Sequence, residues 1–334
     1  MLYRNLGNSS LSISVIGLGG LHIGVFLNEE EATELINAAF EHGIQFIDTA
    51  PMYGSGKSES MIGRAIKGRR QQFVLGSKVG LSPIINEQGQ FGVKTVPLNE
   101  KTILNSVEAS LRSLQTDYID LLQLHAYDVT IPIEETLGTL EKLKSSGKVR
   151  AVGCSNYCRE EMALACDAID GCNVSSFASL QTHYNILERR FETDLRPYCL
   201  RYNIGVLCYR ALARGILNYK YKIGEMIPDS SRAAISTRVR QLLNNEILEL
   251  VKRLNNFAVQ RSATVGHLAL AWLLSRPTVS SVVLGIRNKT QLLENICAVE
   301  CRLSHTDIQE IDRIITEAGM LQKVLTDPPT FLET

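Results

Sequence analysis

The residues best suited to chemistry lie in one short stretch, Ile44 to Glu59, which reads I-Q-F-I-D-T-A-P-M-Y-G-S-G-K-S-E. An apolar run ends in Asp48, Tyr53 follows shortly after, and a Gly/Ser turn leads into a helical pattern. A carboxylate and a phenol are thereby set at the C-terminal end of a strand. The next two apolar runs end at Lys78 and at His125. These four residue types suit the reduction of a carbonyl group. Hydride arriving at a carbonyl carbon leaves an alkoxide that needs a proton, and Tyr53 would supply it. A free phenol, with a pKa of about 10, is a weak acid at neutral pH. The Lys78 ammonium would lower that value, each unit being worth about 1.4 kcal/mol. Asp48 would keep Lys78 charged, and His125 would hydrogen-bond the carbonyl oxygen or Tyr53. Each residue alone has a plainer explanation, as a helix cap, a packing ring or a satisfied core histidine. Their order on successive strand ends is what points to a site.

Such an arrangement requires strands that bring their C-terminal ends together. Continuous apolar runs recur at Val15–Leu18, Gln45–Asp48, Phe73–Ser77, Ile119–Leu124, Val149–Gly153, Phe177–Gln181, Gly205–Tyr209 and Ser281–Leu284. Lacking strict alternation, they read as parallel strands buried on both faces. Helical patterns fill the gaps: Glu30–Glu41, Ser58–Ile66, Asn99–Leu114, Ile133–Ser145, Glu160–Ile169, Glu192–Leu200 and, near the end, Thr306–Ala318. Five of the seven intervals share one length, that of a strand, a helix and two short loops. The others are stretched by an insertion at residues 80–98 and a long passage at 211–245. The expectation is an α/β fold, a (β/α)8 TIM barrel forming one domain over residues 1–334. An N-terminal hairpin at residues 2–13 and extra C-terminal helices complete it. A doubly wound sheet is the rival, but Gly17-Leu-Gly19-Gly20-Leu-His22 fails the phosphate-loop pattern at His22. Glycines at a crowded barrel mouth are the better reading.

Composition narrows the partners. Hydrophobic residues make up 45% and charged ones 21%, as in ordinary globular proteins. Lys+Arg and Asp+Glu balance at 35 each, so bulk charge calls for neither nucleic acid nor an anionic membrane. The N-terminus has no apolar core of a signal peptide, and no run is long enough for a membrane span, so a cytoplasmic protein is expected. The 8 cysteines read as reduced thiols rather than disulfides or metal ligands, since neither i, i+4 pair has a companion histidine or second pair. The expected partner is a small molecule; the oligomeric state stays open.

The motifs resemble those of the aldo-keto reductases from end to end. The matching segments are G-L-G-G at 17–20, D-T-A-P-M-Y-G-S-G-K-S-E at 48–59, S-K-V-G at 77–80 and D-Y-I-D-L-L-Q-L-H at 117–125. Residues 132–156, L-A-L-A-W-L-L at 268–274 and G-I-R-N-K-T-Q-L-L-E-N at 285–295 complete the set. The resemblance implies an eight-fold barrel whose hairpin closes the bottom, and a nicotinamide cofactor, NADP(H) rather than NAD(H), bound extended across the mouth. It implies that Ser155, Asn156 and Gln181 hold the carboxamide and that Tyr209 stacks on the nicotinamide ring. The segment opening at Gly285 would meet the adenosine phosphate: Arg287 and Gln291 at a 2′-phosphate, Glu294 and Asn295 at adenine. Asn288 with Gln291 resembles an N-cap and N3 pair, and helix N-termini favour anions. Lys289 either adds charge or is simply solvated. One departure is Tyr209-Arg210-Ala211-Leu212, where the family often has Tyr-Ser-Pro-Leu. Arg210 would either contact the pyrophosphate or point to solvent.

Substrate choice falls to the loops over the mouth: residues 22–27, the 80–98 insertion with Ile84, Ile85 and Phe91, Tyr127, and residues 217–238. Phe26, Tyr127 and Tyr219 would form an apolar wall or serve as loop anchors. Three readings follow: an NADPH-dependent reductase of aldehydes, ketones or sugar carbonyls; an aldose dehydrogenase running the same residues in reverse; and a channel-associated regulatory subunit. The last is disfavoured by a chain that starts directly at the hairpin.

Overall fold

The apolar runs close into a parallel barrel, as their burial on both faces requires. In chain order the strands are β1 (Tyr3–Asn5), β2 (Ser12–Ser14), β3 (Ile16–Gly19), β4 (Phe46–Asp48), β5 (Val74–Val79), β6 (Leu81–Ile85), β7 (Phe91–Thr95), β8 (Ile119–Leu124), β9 (Val149–Ser155), β10 (Ser179–His183), β11 (Gly205–Tyr209) and β12 (Val279–Gly285). Eight of them, β3, β4, β5 and β8 to β12, form the closed barrel, every neighbouring pair parallel. This computed structural model describes residues 1–85, 91–172, 174–229 and 231–319.

Side-chain alternation along each strand divides the interior into two cores. Ile47, Leu75, Leu122, Val152, Leu180, Val206 and Val282 pack outward against the helices in the larger one. Phe46, Leu121, Ala151, Leu207 and Val283 face the lumen, and the N-terminal hairpin pushes Leu6, Leu11 and Ile13 against them. β1 pairs antiparallel with β2, so the hairpin plugs the barrel floor as expected. Above Phe46, Leu121 and Leu207, the next inward positions on the same strands are Asp48, Gln123 and Tyr209. The plug thus leaves only the C-terminal mouth open for a site.

Helix ends follow local chemistry. Glu29–Glu41 opens on a capping box in which Asn28 accepts from Glu31 N and Glu31 from Asn28 N. Glu100–Leu114 is capped by Asn99, and Ile133–Ser145 matches its expected span. The expected helix Glu192–Leu200 is instead two, Arg190–Asp194 and Arg196–Arg201. Pro197 lacks a donor and crowds the preceding turn, so the first helix cannot run through it. The insertion at 80–98 forms the antiparallel β6–β7 hairpin, with Leu81 and Val93 packed on Ala50, Met52 and Tyr53. The side chains of Ile85 and Phe91, and the tail beyond residue 319, lie outside the described residues. After β11 come a 3-10 segment and the short helices Arg232–Ile235 and Thr237–Leu242. Two longer helices, Asn245–Val259 and Val265–Leu274, then precede β12. Among the described residues no helix is long and apolar enough to cross a membrane.

Candidate active site

Lys78 is fully buried in the lumen on β5, with Asp48 beside it on β4. A buried ammonium is tolerated only when its charge and donors are satisfied. Lys78 Nζ donates to Asp48 Oδ2 at 2.6 Å, to the Thr49 carbonyl at 3.1 Å and to the Tyr53 hydroxyl at 3.2 Å. All three of its protons are thereby used. Burial alone would lower the lysine pKa, but Asp48 and Tyr53 outweigh it and hold the ammonium above its ordinary value. The other Asp48 oxygen accepts from Gln123 Nε2 at 3.0 Å and Gln181 Nε2 at 2.9 Å. Asp48 is therefore tied to three other strands.

Tyr53 reaches this network through a strained turn. Gly54, Ser55 and Gly56 lie in the left-handed region at φ 56°, 54° and 87°, and the helix Lys57–Ala65 starts directly after. Two of the three are glycines, which accept that backbone without a Cβ clash; Ser55 bears the strain. Ala50, Met52 and Leu81 pack around the phenol. Its pKa stands above the ordinary value: burial raises it more than the Lys78 charge lowers it, and Asp48 adds to the rise. The expected lysine effect operates, but the expected net fall does not occur. His125 lies edge-on to Tyr53, ring centroids 6.1 Å apart. Burial, then the Lys78 charge, hold its pKa well below the ordinary imidazole value, so it is a neutral donor or acceptor.

These groups open into one cavity of about 930 Å³ that runs from Tyr53 and His125 across the ends of β11 and β12. Asn156 stands beside His125 with φ +62°, a conformation Asn tolerates better than most residues. Its Nδ2 donates to the His125 carbonyl at 2.9 Å and to Ser155 Oγ at 2.8 Å, and its Oδ1 accepts from Tyr209 OH at 2.7 Å. Ser155 touches Asn156 but is not part of the cavity wall. Tyr209 lines the cavity with His183 stacked on its ring, centroids 5.7 Å apart. Arg210 lines the cavity, half-buried; its guanidinium lies 5.5 Å from the Tyr209 ring, on a left-handed backbone.

At the far end Gly285, Arg287, Gln291, Glu294 and Asn295 all line the wall. Asn288 caps the helix Lys289–Ile296 by accepting from Gln291 N at 2.9 Å. Gln291 Oε1 accepts from Arg287 N at 3.0 Å, one residue before the position a capping box would use. Arg287 lies over the Phe26 ring at 4.1 Å. None of Phe26, Tyr127 and Tyr219 lines the cavity. Tyr127 packs on Tyr157, Tyr219 carries Lys222, and Phe26 is exposed beneath Arg287, so the three do not form an apolar wall of this cavity.

The cavity is strongly basic at this end. Arg210, Arg214, Lys220, Arg232 and Arg287 line it, against Glu294 and the already paired Asp48. Burial, then Arg214, Arg210 and Arg287, bring the Arg232 pKa down to about 10. Three arginines close enough to depress a fourth make a site that favours a polyanion. Gln123 and Arg214 had no role assigned from the sequence, and His22 and Arg232 entered as members of the loops 22–27 and 217–238. Gln123 was within reach, lying two residues before His125 on the same inward face. The arginines come from a loop whose path no local pattern fixes. Among the described residues no group of three His, Cys, Asp or Glu side chains could hold a metal ion.

Residues 15–316 match the family model described as "Aldo/keto reductase family". The chain is 33% identical to the aldo-keto reductase YhdN of Bacillus subtilis (strain 168), over 99% of this chain and 98% of that one. Among solved structures it resembles the glycerol dehydrogenase AKR11B4 from Gluconobacter oxydans, with TM-score 0.83 and 28% identity over 99% of this chain and 98% of that one. It also resembles the holo form of aldo-keto reductase AKR11C1 from Bacillus halodurans, with TM-score 0.77 and 31% identity over 94% and 96% of the two chains. With the barrel, the lumenal pair and near full-length similarity in agreement, the chain belongs to the aldo/keto reductase family, oxidoreductases that act on carbonyl compounds.

Proposed function

We propose that the protein is an NADP(H)-dependent oxidoreductase of aldehydes, ketones or sugar carbonyls, with Tyr53 as the proton donor. The observation that carries this reading is the Tyr53 hydroxyl, 3.2 Å from a fully buried ammonium at the wall of a large basic cavity. The residues fit the cofactor. Asn156 and Gln181, backed by Ser155, would hold the carboxamide, and the ring of Tyr209 would cover the nicotinamide. Arg210 would meet the pyrophosphate, Arg287 with Gln291 the 2′-phosphate, and Glu294 with Asn295 the adenine. Bound there, the nicotinamide supplies the hydride in reduction and accepts it in oxidation.

The chain's own groups then manage one proton. Tyr53 holds it in the resting state, because its raised pKa keeps the phenol protonated at neutral pH. As charge develops on the substrate oxygen, the proton passes from Tyr53, and Lys78 stabilises the phenolate left behind. Asp48 keeps Lys78 charged and fixed. Neutral His125 donates to the substrate oxygen and orients it, which needs no proton of its own from solution. In the oxidative direction the phenolate is the base, so oxidation should rise with pH while reduction stays flat through neutrality. Steady-state rates on a panel of aldehydes, ketones and aldoses, with NADPH and NADH in both directions, test the proposal. Turnover of none of them would contradict it. Arg287→Ala should weaken NADPH about tenfold more than NADH, the loss of a charged hydrogen bond. An equal loss for both would remove Arg287 from the 2′-phosphate.

A further inference from the structure

His22 is the residue in the cavity that the proposed chemistry leaves unused. It follows β3 in a short 3-10 turn, is only 8% exposed, and forms part of the cavity wall. Its Nδ1 is buried with no hydrogen-bond partner, a costly state for an imidazole nitrogen. Its surroundings are tightly fixed. Phe26 meets it edge-on at 5.4 Å, and a Cβ at Gly285 would come within 2.9 Å of its Cε1, so β12 offers glycine where the ring passes. The charges that act on it are both positive, Arg287 after β12 and Arg232 on its short helix, and a hydrogen bond to the Ile286 backbone is its other polar contact. Its own loop contributes the uncharged Phe26.

An unpartnered nitrogen that feels the charges of two arginines suits one kind of ligand atom, an anionic oxygen. We propose that His22 is a phosphate-contact residue of the dinucleotide site, donating through Nδ1 and taking up a proton when the dinucleotide binds. This rests on the cofactor reading above. Without an anion, burial, then Arg287 and Arg232, hold His22 down to about 4, so it is neutral at working pH. A phosphate between the three cationic groups reverses the sign of the local field, and the bound state then favours imidazolium. Because the folded, unbound value is depressed, affinity should rise as pH falls. If the anion merely restores the ordinary 6.5, binding tightens about tenfold between pH 7.5 and 5.5. The Phe26 ring packs on both His22 and Arg287 and so links the two side chains.

Calorimetry of NADP⁺ and NAD⁺ binding in two buffers of different ionisation enthalpy, from pH 5.5 to 7.5, counts the protons taken up. His22→Asn keeps a polar side chain that does not titrate; His22→Leu removes both features. Comparison at fixed ligand cancels the 2′-phosphate's own titration, whose pKa is about 6. The expected result is proton uptake in the wild type that is lost in both variants, with the tenfold pH dependence lost too. Thermal melts check that both variants fold; if neither does, Phe26→Leu, which leaves His22 in place, should keep the uptake. Equal uptake in wild type and His22→Asn, or none in the wild type, would overturn the proposal. Failure of both dinucleotides to bind the wild type would instead overturn the cofactor reading, and His22's role with it.

Discussion

Asp48 accepts hydrogen bonds from β5, β8 and β10 at once, and this makes the lumen a single cooperative unit. Gln123 does not line the cavity and donates to Asp48, so it acts on the reaction through Asp48. A hydrogen bond to a charged group is worth about 1.5–3 kcal/mol, and each 1.4 kcal/mol is about tenfold in rate. Gln123→Leu should therefore lower kcat by about tenfold or more while leaving NADPH affinity unchanged; a change confined to NADPH affinity would contradict the positioning role. His125 supplies a second residue-scale test. Since burial and Lys78 keep it neutral, the reductive rate should show no inflection near the ordinary imidazole pKa of 6.5. An inflection there that disappears in His125→Asn would contradict it. Asp48, Lys78 and His125 were legible because they stand at strand ends, and Tyr53 because it follows one of them in a short turn. The aromatic ones were not: Phe26 and Tyr127 share a type, yet one carries an arginine and the other packs on a tyrosine. Side-chain partners across distant loops leave no trace in local spacing.

At the scale of elements, the barrel separates stability at the floor from chemistry at the mouth. Leu6 belongs to the hairpin plug and packs in the floor cluster. Leu6→Ala should cost about 2–5 kcal/mol in denaturant unfolding and leave KM for substrate unchanged. A raised KM with unchanged stability would place the hairpin in the site instead. The eight strands were readable to within a few residues, since continuous apolar runs of strand length have few other uses. The helix Asn245–Val259 was equally regular, with Ile247, Leu250, Val251, Leu254 and Ala258 in one buried stripe. It escaped the sequence reading because it lies at the end of the long passage after β11. The β6–β7 hairpin gave little warning, because its buried contacts are with Met52 and Tyr53, far away in sequence.

Over the whole molecule, 35 basic and 35 acidic residues cancel, yet the cavity end gathers arginines. Neutral net charge therefore says nothing about the ligand, which meets the local field. Buried histidines give the fold its own pH dependence. His22 is held at about 4 and His183 at about 3, by burial first and neighbouring arginines second. Below about pH 6.5 the unfolded chain binds protons that these folded residues refuse, so stability falls with pH; at pH 5 each costs about 2 kcal/mol. Unfolding in urea at pH 7.5 and pH 5 should show this loss, and equal stability at both would contradict it. The central claim, that Tyr53 delivers the proton, is tested most directly by rapid mixing of wild type and Tyr53→Phe with NADPH and an aldehyde that the wild type reduces. The account predicts a fall of about 10²–10⁴-fold in the reductive rate, with the NADPH dissociation constant nearly unchanged. A variant that keeps most of the wild-type rate would contradict it.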